Sequence, residues 1–152
     1  MIKQKVTETG IFVIVYGPSK TGKSTATGAA GAGGLFLAQP GGLLPIVNYL
    51  GLPDVEFIEP KVVEDAARVV EKAAGKHQTI VVDDFSLLVE QTVQALEKKH
   101  SFGEMWRALR HQVLAMRDAA RVATSKGTHV IFNCHQSPPK TSSGKYVRGG
   151  PQ

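Results

Sequence analysis

Cysteine is nearly absent from the chain. Cys134 stands alone, so no internal disulfide can close and a disulfide-scaffolded secreted domain is excluded. Long hydrophobic runs are missing too: the apolar stretches are short and broken by glycine, far below the roughly 18 to 20 consecutive apolar residues of a membrane span. The start, Met1-Ile2-Lys3-Gln4-Lys5, lacks the apolar core of a secretory signal. These absences predict a reduced, cytoplasmic protein without membrane association. Acid is unevenly spread. Residues 1–118 hold 13 Lys/Arg against 13 Asp/Glu, whereas residues 119–152 hold Arg121, Lys126, Lys140, Lys145 and Arg148 and no acid, so the net charge of +5 lies wholly at that end. A segment of one sign attracts a polyanion through the electrostatics that drive nonspecific nucleic-acid binding; a solvated tail is the alternative.

What remains is ordinary globular material, 42% hydrophobic and 20% charged over 152 residues, enough for one domain with a core. Short apolar runs alternate with helical patterns. The run IFVIVY at 11–16, ended by Gly17-Pro18, reads as a buried strand. A small-residue helix is predicted over 21–30, closed by glycines at 31, 33 and 34, and a strand over 35–38. Past a Pro/Gly loop, 55–58 reads as a third strand, and Pro60 leads into an amphipathic helix over 61–74 stopped by Gly75. The run TIVVDD at 79–84 is apolar up to two adjacent carboxylates. A helical pattern then reaches 99, breaks over 100–103 and resumes over 104–126, where Met105, Leu109, Val113, Met116 and Ala120 recur as one buried stripe. Trp106 and the other aromatics are expected in the core. The last strand spans 129–134, and a Pro/Ser/Gly/Lys stretch at 136–152 reads as a flexible basic loop. The alternation predicts a single α/β domain, a parallel sheet with helices on both faces in three layers.

The chemistry-bearing signal is Gly17-Pro18-Ser19-Lys20-Thr21-Gly22-Lys23-Ser24, which matches G-x-x-x-x-G-K-[ST] between a strand and a helix. A glycine-bearing turn lets backbone N–H groups converge on phosphates, and the helix N-terminus adds its positive dipole end. Lys23 is expected at the β- and γ-phosphates, Ser24 at a Mg²⁺ ion, and Thr25 near the α-phosphate. A phosphate-bound Mg²⁺ also needs an outer anchor at the end of a neighbouring strand, and Asp83 fits that place.

These residues resemble the RecA-like branch of P-loop ATPases, and more closely the small single-domain RecA-like ATPases that bacteriophages use in recombination. The resemblance runs in order through GPSKTGKST, GLFLAQPGG, TIVVDDFSLL, the helix FGEMWRALRHQVLAMRDAARVATSKG, and HVIFNCHQ with the loop ending at Gly149-Gly150. It implies a last strand inserted between the two motif-bearing strands, the additional-strand arrangement. It also implies Mg-ATP hydrolysis, a homo-oligomer, single-stranded DNA as ligand and recombination factors such as a single-strand-binding protein as partners. His135 occupies the place of the residue that senses the γ-phosphate. The loop from 136 matches the family's second DNA-binding loop, with Lys140, Lys145 and Arg148 on phosphates and Tyr146 stacking on a base; Lys98, Lys99 and His100 fall at the first. Further strands and an oligomer-contacting segment are expected after Gln152.

One departure stands out. Relatives carry a glutamate just after the second strand to activate the attacking water, and here Ala38-Gln39-Pro40-Gly41-Gly42 supplies no carboxylate. Asp84 is the candidate substitute base. Two alternatives follow: a nucleotide-gated binding or assembly subunit with little hydrolysis, or a small-molecule P-loop kinase, which the absence of an Arg-rich lid in the sequence disfavours.

Overall fold

The computed structural model describes residues 9–18, 20–43, 47–48, 51 and 55–135. Among these, the apolar runs form five strands: β1 (Phe12–Gly17), β2 (Leu35–Ala38), β3 (Glu56–Ile58), β4 (Thr79–Asp83) and β5 (His129–His135). They make one sheet in the order β1-β5-β4-β2-β3, every pairing parallel. The helices are α1 (Lys23–Ala30), α2 (Val63–Ala73), α3 (Phe85–Glu97) and α4 (Phe102–Ser125). The α/β class and the parallel sheet are thus as the alternation predicts.

The period-two alternation of the strands sorts side chains to two faces. Leu35, Leu37, Ile80, Val82, Val130 and Phe132 point to the face covered by α2, α3 and α4. Phe36, Val81 and Ile131 point to the other, where α1 sits. At the end of α1 a Cβ on Gly31 would lie 2.6 Å from a Val81 methyl, so glycine is what lets the helix rest this close to the sheet. Every residue of β2 and β4 is buried, which explains why these runs carry apolar residues at consecutive rather than alternate positions.

Helix α2 turns Val63, Ala66, Ala67, Val70 and Ala73 inward, and α4 answers with Met116, Ala119, Ala120 and Ala123. The alanines bring the two backbones close. Val62, at the N-cap of α2, has no capping side chain; the free Val63 N–H instead donates to Thr92 Oγ1 of α3 at 2.9 Å, and that hydroxyl donates to Leu88 O at 2.7 Å. Thr92 is fully buried, so one hydroxyl joins two helices inside the core.

The helices α3 and α4 pack antiparallel: Leu88 shares a cluster with Met116 against the sheet, whereas Leu96 meets Met105 and Leu109 in a cluster with no strand residue. Because α4 ends near the start of β5, its N-terminal half and the end of α3 project past the C-terminal edge of the sheet. From Met116 to Phe102 this extension is roughly 20 Å at 1.5 Å per residue.

Three expectations change. The run at 11–16, expected as a buried strand, forms the edge strand β1, which has a neighbour on one side only and leaves Ile14 and Tyr16 exposed. The break over 100–103 is shorter than expected, because Ser101 and Glu104 form a capping box that starts α4 at Phe102: Ser101 N–H and Oγ–H donate to Glu104 Oε2 at 3.2 and 2.7 Å. The core placement expected for Trp106 and the other aromatics is corrected as well: Phe12, Tyr16 and Phe57 are exposed. Trp106 is 49% and Phe102 77% exposed, because the buried stripe passes through Met105 and Leu109 and Trp106 is turned about 100° from Met105.

Replacing Thr92 by the isosteric valine leaves the Val63 N–H buried without a partner. The expected loss is about 1–3 kcal/mol of unfolding free energy, read from the urea midpoint; an unchanged midpoint would show that the shared hydroxyl adds nothing.

Candidate functional site

The strands end in a row along one edge. Gly17 of β1 stands opposite His135 of β5, and Asp83 of β4 opposite Ala38 of β2. Beside that row lies a cavity of about 310 Å³, bordered by Ser24, Ala38, Gln39, the Gly41-Gly42 turn, Asp83, Asp84, Leu87, Gln91 and His135. In a parallel sheet this edge, where chain order changes direction, is where ligands bind: β1 leads across to β2, and the chain then returns inward through β4 to β5.

The turn after β1 is shaped by two residues in the left-handed region, Lys20 at φ 64° and Gly22 at φ 81°. Gly22 cannot continue a helix in that conformation, so α1 begins at Lys23 rather than at Thr21. Thr21 Oγ1 donates to Pro18 O at 2.9 Å. Lys23 folds back across the turn, its Nζ donating to Gly17 O at 2.8 Å and to Pro18 O at 2.7 Å. No side-chain hydrogen bond caps α1 at Gly22, which leaves its first N–H groups facing the turn. An ammonium held by two neutral carbonyls beside free helix donors is ready to exchange them for an anion. Ser24 and Thr25 follow, both half-buried.

Helix α1 is also tied to β5. Asn133 Nδ2 donates to Thr27 Oγ1 at 2.7 Å, and Thr27 donates to Lys23 O at 3.0 Å. Both residues are buried, so the lysine-bearing turn of the helix is fixed against the strand that ends at His135.

The carboxylates divide into two environments. Asp83 is 7% exposed, and its Oδ2 is buried without a hydrogen-bond partner. A carboxylate oxygen in that state is costly unless a cation meets it, and Ser24 borders the same cavity, so the pair fits a hard divalent ion. Among the described residues no three His, Cys, Asp or Glu side chains converge, so the remaining ligands of such an ion would be phosphate oxygens or water. Asp84 caps α3: its Oδ1 accepts from Ser86 N–H at 2.9 Å, and its Oδ2 meets Nε2 of His135. Burial raises the Asp84 pKa above the ordinary 3.8, against the lowering pull of His135 and the Ser86 and Leu87 N–H groups; the Asp83 charge also raises it. Ser86 Oγ accepts from His135 N–H at 2.9 Å, joining the end of β5 to the start of α3. Burial likewise raises the thiol pKa of the half-buried Cys134.

Of the residues singled out from sequence, Ser24, Asp83, Asp84 and His135 surround one cavity, and Lys23 with Gly17, Pro18, Lys20, Thr21 and Gly22 forms the turn on its flank. Lys98 and Lys99 are exposed at the tip of the α3–α4 hairpin, away from it. Ser19, Lys140, Lys145, Tyr146 and Arg148, and the stretch 136–152, lie outside the described residues. Sequence reasoning passed over Ser86, Gln91 and Asn133. Asp84-Phe85-Ser86 carries the cap signature of an acid two residues before a polar N–H, and Asn133 is a lone amide in an apolar strand; both were readable. Compared with family models and with curated proteins, the chain matches none.

The Asp84→Asn variant keeps the cap acceptor and Asp84→Ala removes it, both without charge. The alanine variant is expected to unfold about 1 kcal/mol more easily in urea than the asparagine one. Because the Asp84 pKa is raised by folding, wild type compares best with Asp84→Asn below about pH 3.8 and loses ground as pH rises through the folded value. A constant difference across pH would remove the burial argument.

Proposed function

We propose that the chain is a RecA-like P-loop ATPase that hydrolyses Mg-ATP at the C-terminal edge of the sheet and acts on single-stranded DNA in recombination, as a homo-oligomer. One observation carries the reading: β5 lies between β1, which leads into the G-x-x-x-x-G-K-S turn, and β4, which ends in Asp83. That order brings His135 between the lysine-bearing turn and the paired carboxylates, which is the arrangement the sequence resemblance implies.

In this reading the turn at 17–24 holds the phosphates, with Lys23 leaving its two carbonyls for the β- and γ-phosphoryl oxygens. Ser24 and Asp83 would hold a Mg²⁺ ion, which would supply charge neutralisation along the phosphate chain. Asp84 accepts the proton of the water that attacks the γ-phosphorus, giving ADP and inorganic phosphate. A carboxylate whose pKa burial has raised is a stronger base than a solvated one, which suits that role. His135 orients Asp84 through Nε2 and, at the end of β5, stands where the loss of the γ-phosphate is felt by the chain that follows. The basic excess of 119–152 supplies the attraction to DNA.

A second reading has its own observation. Gln39, not an acid, stands at the end of β2 and borders the cavity. If Asp84 is committed to capping α3 and to His135, the site binds Mg-ATP and gates an assembly without turning over.

Phosphate release with Mg-ATP, measured with and without single-stranded DNA, tests both. Turnover stimulated by DNA is expected, with Lys23→Ala abolishing nucleotide binding and Asp84→Asn cutting turnover roughly 100-fold or more while leaving Mg-ATP bound. Equal rates for wild type and Asp84→Asn would remove Asp84 as the base. Tight binding without turnover in wild type would select the gating reading, and failure to bind Mg-ATP would refute both.

A further inference from the structure

The two ladders that flank β5 end at different places. Its pairing with β1 runs to Gly17 opposite His135, whereas its pairing with β4 stops at Val82 opposite Phe132. From Asn133 onward the sheet holds β5 on the β1 side alone, because the chain after Asp83 leaves the sheet to start α3. The His135 N–H is turned to the open side, where it donates to Ser86 Oγ at 2.9 Å. A side-chain hydroxyl therefore takes the acceptor position that a strand carbonyl holds elsewhere in the ladder.

Ser86 grips both members of the Asp84–His135 pair. Its N–H donates to Asp84 Oδ1 at 2.9 Å and its Oγ accepts from the His135 N–H, while Asp84 Oδ2 meets His135 Nε2. The three residues close a ring of contacts between the first turn of α3 and the end of β5. The hydroxyl also lies within hydrogen-bond reach of the Cys134 sulfur, on the same strand end. Its part in the ring is separable from the rest. Asp84 is anchored by the Ser86 backbone, so removing the side chain leaves the cap of α3 in place and cuts only the bond to β5. Ser86 belongs to none of the apolar clusters, so the core does not depend on it. It is also set behind the residues that border the cavity, so whatever it does there it does through Asp84 and His135.

We propose that Ser86 is a positioning residue for hydrolysis: its hydroxyl fixes the end of β5 against the first turn of α3 and so holds His135 where Nε2 orients Asp84. The proposal rests on the ATPase reading above and adds to it the group that sets the base and the phosphate-sensing residue at a fixed spacing. Misplacing a base weakens the transition state and leaves the binding of the bound phosphates untouched, so the effect falls on kcat rather than on KM.

Phosphate release by Ser86→Ala and Ser86→Thr, with Mg-ATP varied to separate kcat from KM, is the test. The alanine variant is expected to lose roughly tenfold in kcat with KM within about twofold of wild type, and the threonine variant, which keeps the hydroxyl, to recover most of the rate. In an Asp84→Asn background, measured in single turnover, Ser86→Ala is expected to cost less than about twofold, because the group it positions is already gone. Amide hydrogen exchange at His135, followed by NMR without nucleotide, is expected to quicken in the alanine variant and not in the threonine one. A urea midpoint for each variant controls for folding. An equal loss of rate in both backgrounds would show that Ser86 acts apart from Asp84 and overturn the proposal. Unchanged kcat in Ser86→Ala would overturn it too and leave the ATPase reading standing. A fall in urea midpoint and a rise in KM that threonine does not restore would make the residue structural and overturn the positioning role. No turnover of Mg-ATP by wild type would refute the hydrolysis reading and the positioning role with it.

Discussion

The pairing of β5 with two neighbours at once is the constraint on which the site depends. At the edge of the sheet, β1 is bonded to β5 alone, and β4 is bonded to β5 on its other side. The turn with Lys23 and Ser24 therefore has no connection to Asp83 and Asp84 through the sheet except across the last strand. Register makes the dependence local: Gly17 stands opposite His135, so the residue that opens the turn and the residue that reaches Asp84 are set by one ladder. The Asn133 to Thr27 hydrogen bond repeats the tie one layer away, between the strand and α1. Phe12 pairs with Val130, so this geometry closes only after most of the chain has been ordered, and the entropy of that closure is offset by burial of β5 in the core.

The same strand exposes the cost of the site. Asp83 keeps a buried oxygen without a partner, Asn133 keeps its Oδ1 in the same condition, and Asp84 is ionised only against the pull of its burial. Asp84 offsets its cost in part by capping α3, and Asn133 by its bond to Thr27, whereas the buried Asp83 oxygen has no such return. An apolar residue in place of Asp83 would leave no buried carboxylate oxygen unsatisfied, so an acid there, across the cavity from a lysine-bearing turn, marks the edge as a place where stability is given up for binding. Asp83 borders the cavity, whereas Asn133 lies against α1.

Most strands were legible in the sequence because each is a short apolar run ended by glycine, proline or, for β4, a pair of acids, a signal that does not need tertiary context. The motif at 17–24 and the acid at 83 were legible for the same reason: residue type and spacing suffice. What was not legible depends on contacts between elements. Trp106 falls in a helix whose apolar residues are numerous enough to draw it into the buried stripe on paper, yet the stripe follows Met105 and Leu109 and leaves the ring outside. The start of α4 at Phe102 was hidden by Gly103, whose poor propensity is overridden by the Ser101–Glu104 box. Ser86 and Asn133 acquire their meaning only when β5 comes to lie beside β4 and α1. Strand order itself was not in any local pattern; it came from the resemblance, and it is the strand order that turns separate motifs into one site.

Helix α3 runs from the candidate site to the tip of the α3–α4 hairpin. Its N-cap is Asp84, in contact with His135, and it ends at Glu97 just before the Lys98-Lys99 pair. Between them runs a continuous helix of 13 residues without a proline or glycine, anchored on one side by Leu88, Thr92 and Leu96. Such an element does not absorb a displacement by bending at a weak point; a shift at its capped end is carried to the other, provided the packing has two stable positions. On the proposed function, the group that meets the water at the γ-phosphate is thus also the group that caps the helix leading to Lys98 and Lys99, where the sequence resemblance implies a DNA-binding loop. Linkage then makes the relation mutual, because whatever nucleotide does to strand affinity, strand must do to nucleotide affinity by the same factor. A single carboxylate shared between a cap and a catalytic contact is the economical way to write that coupling into a fold of this size.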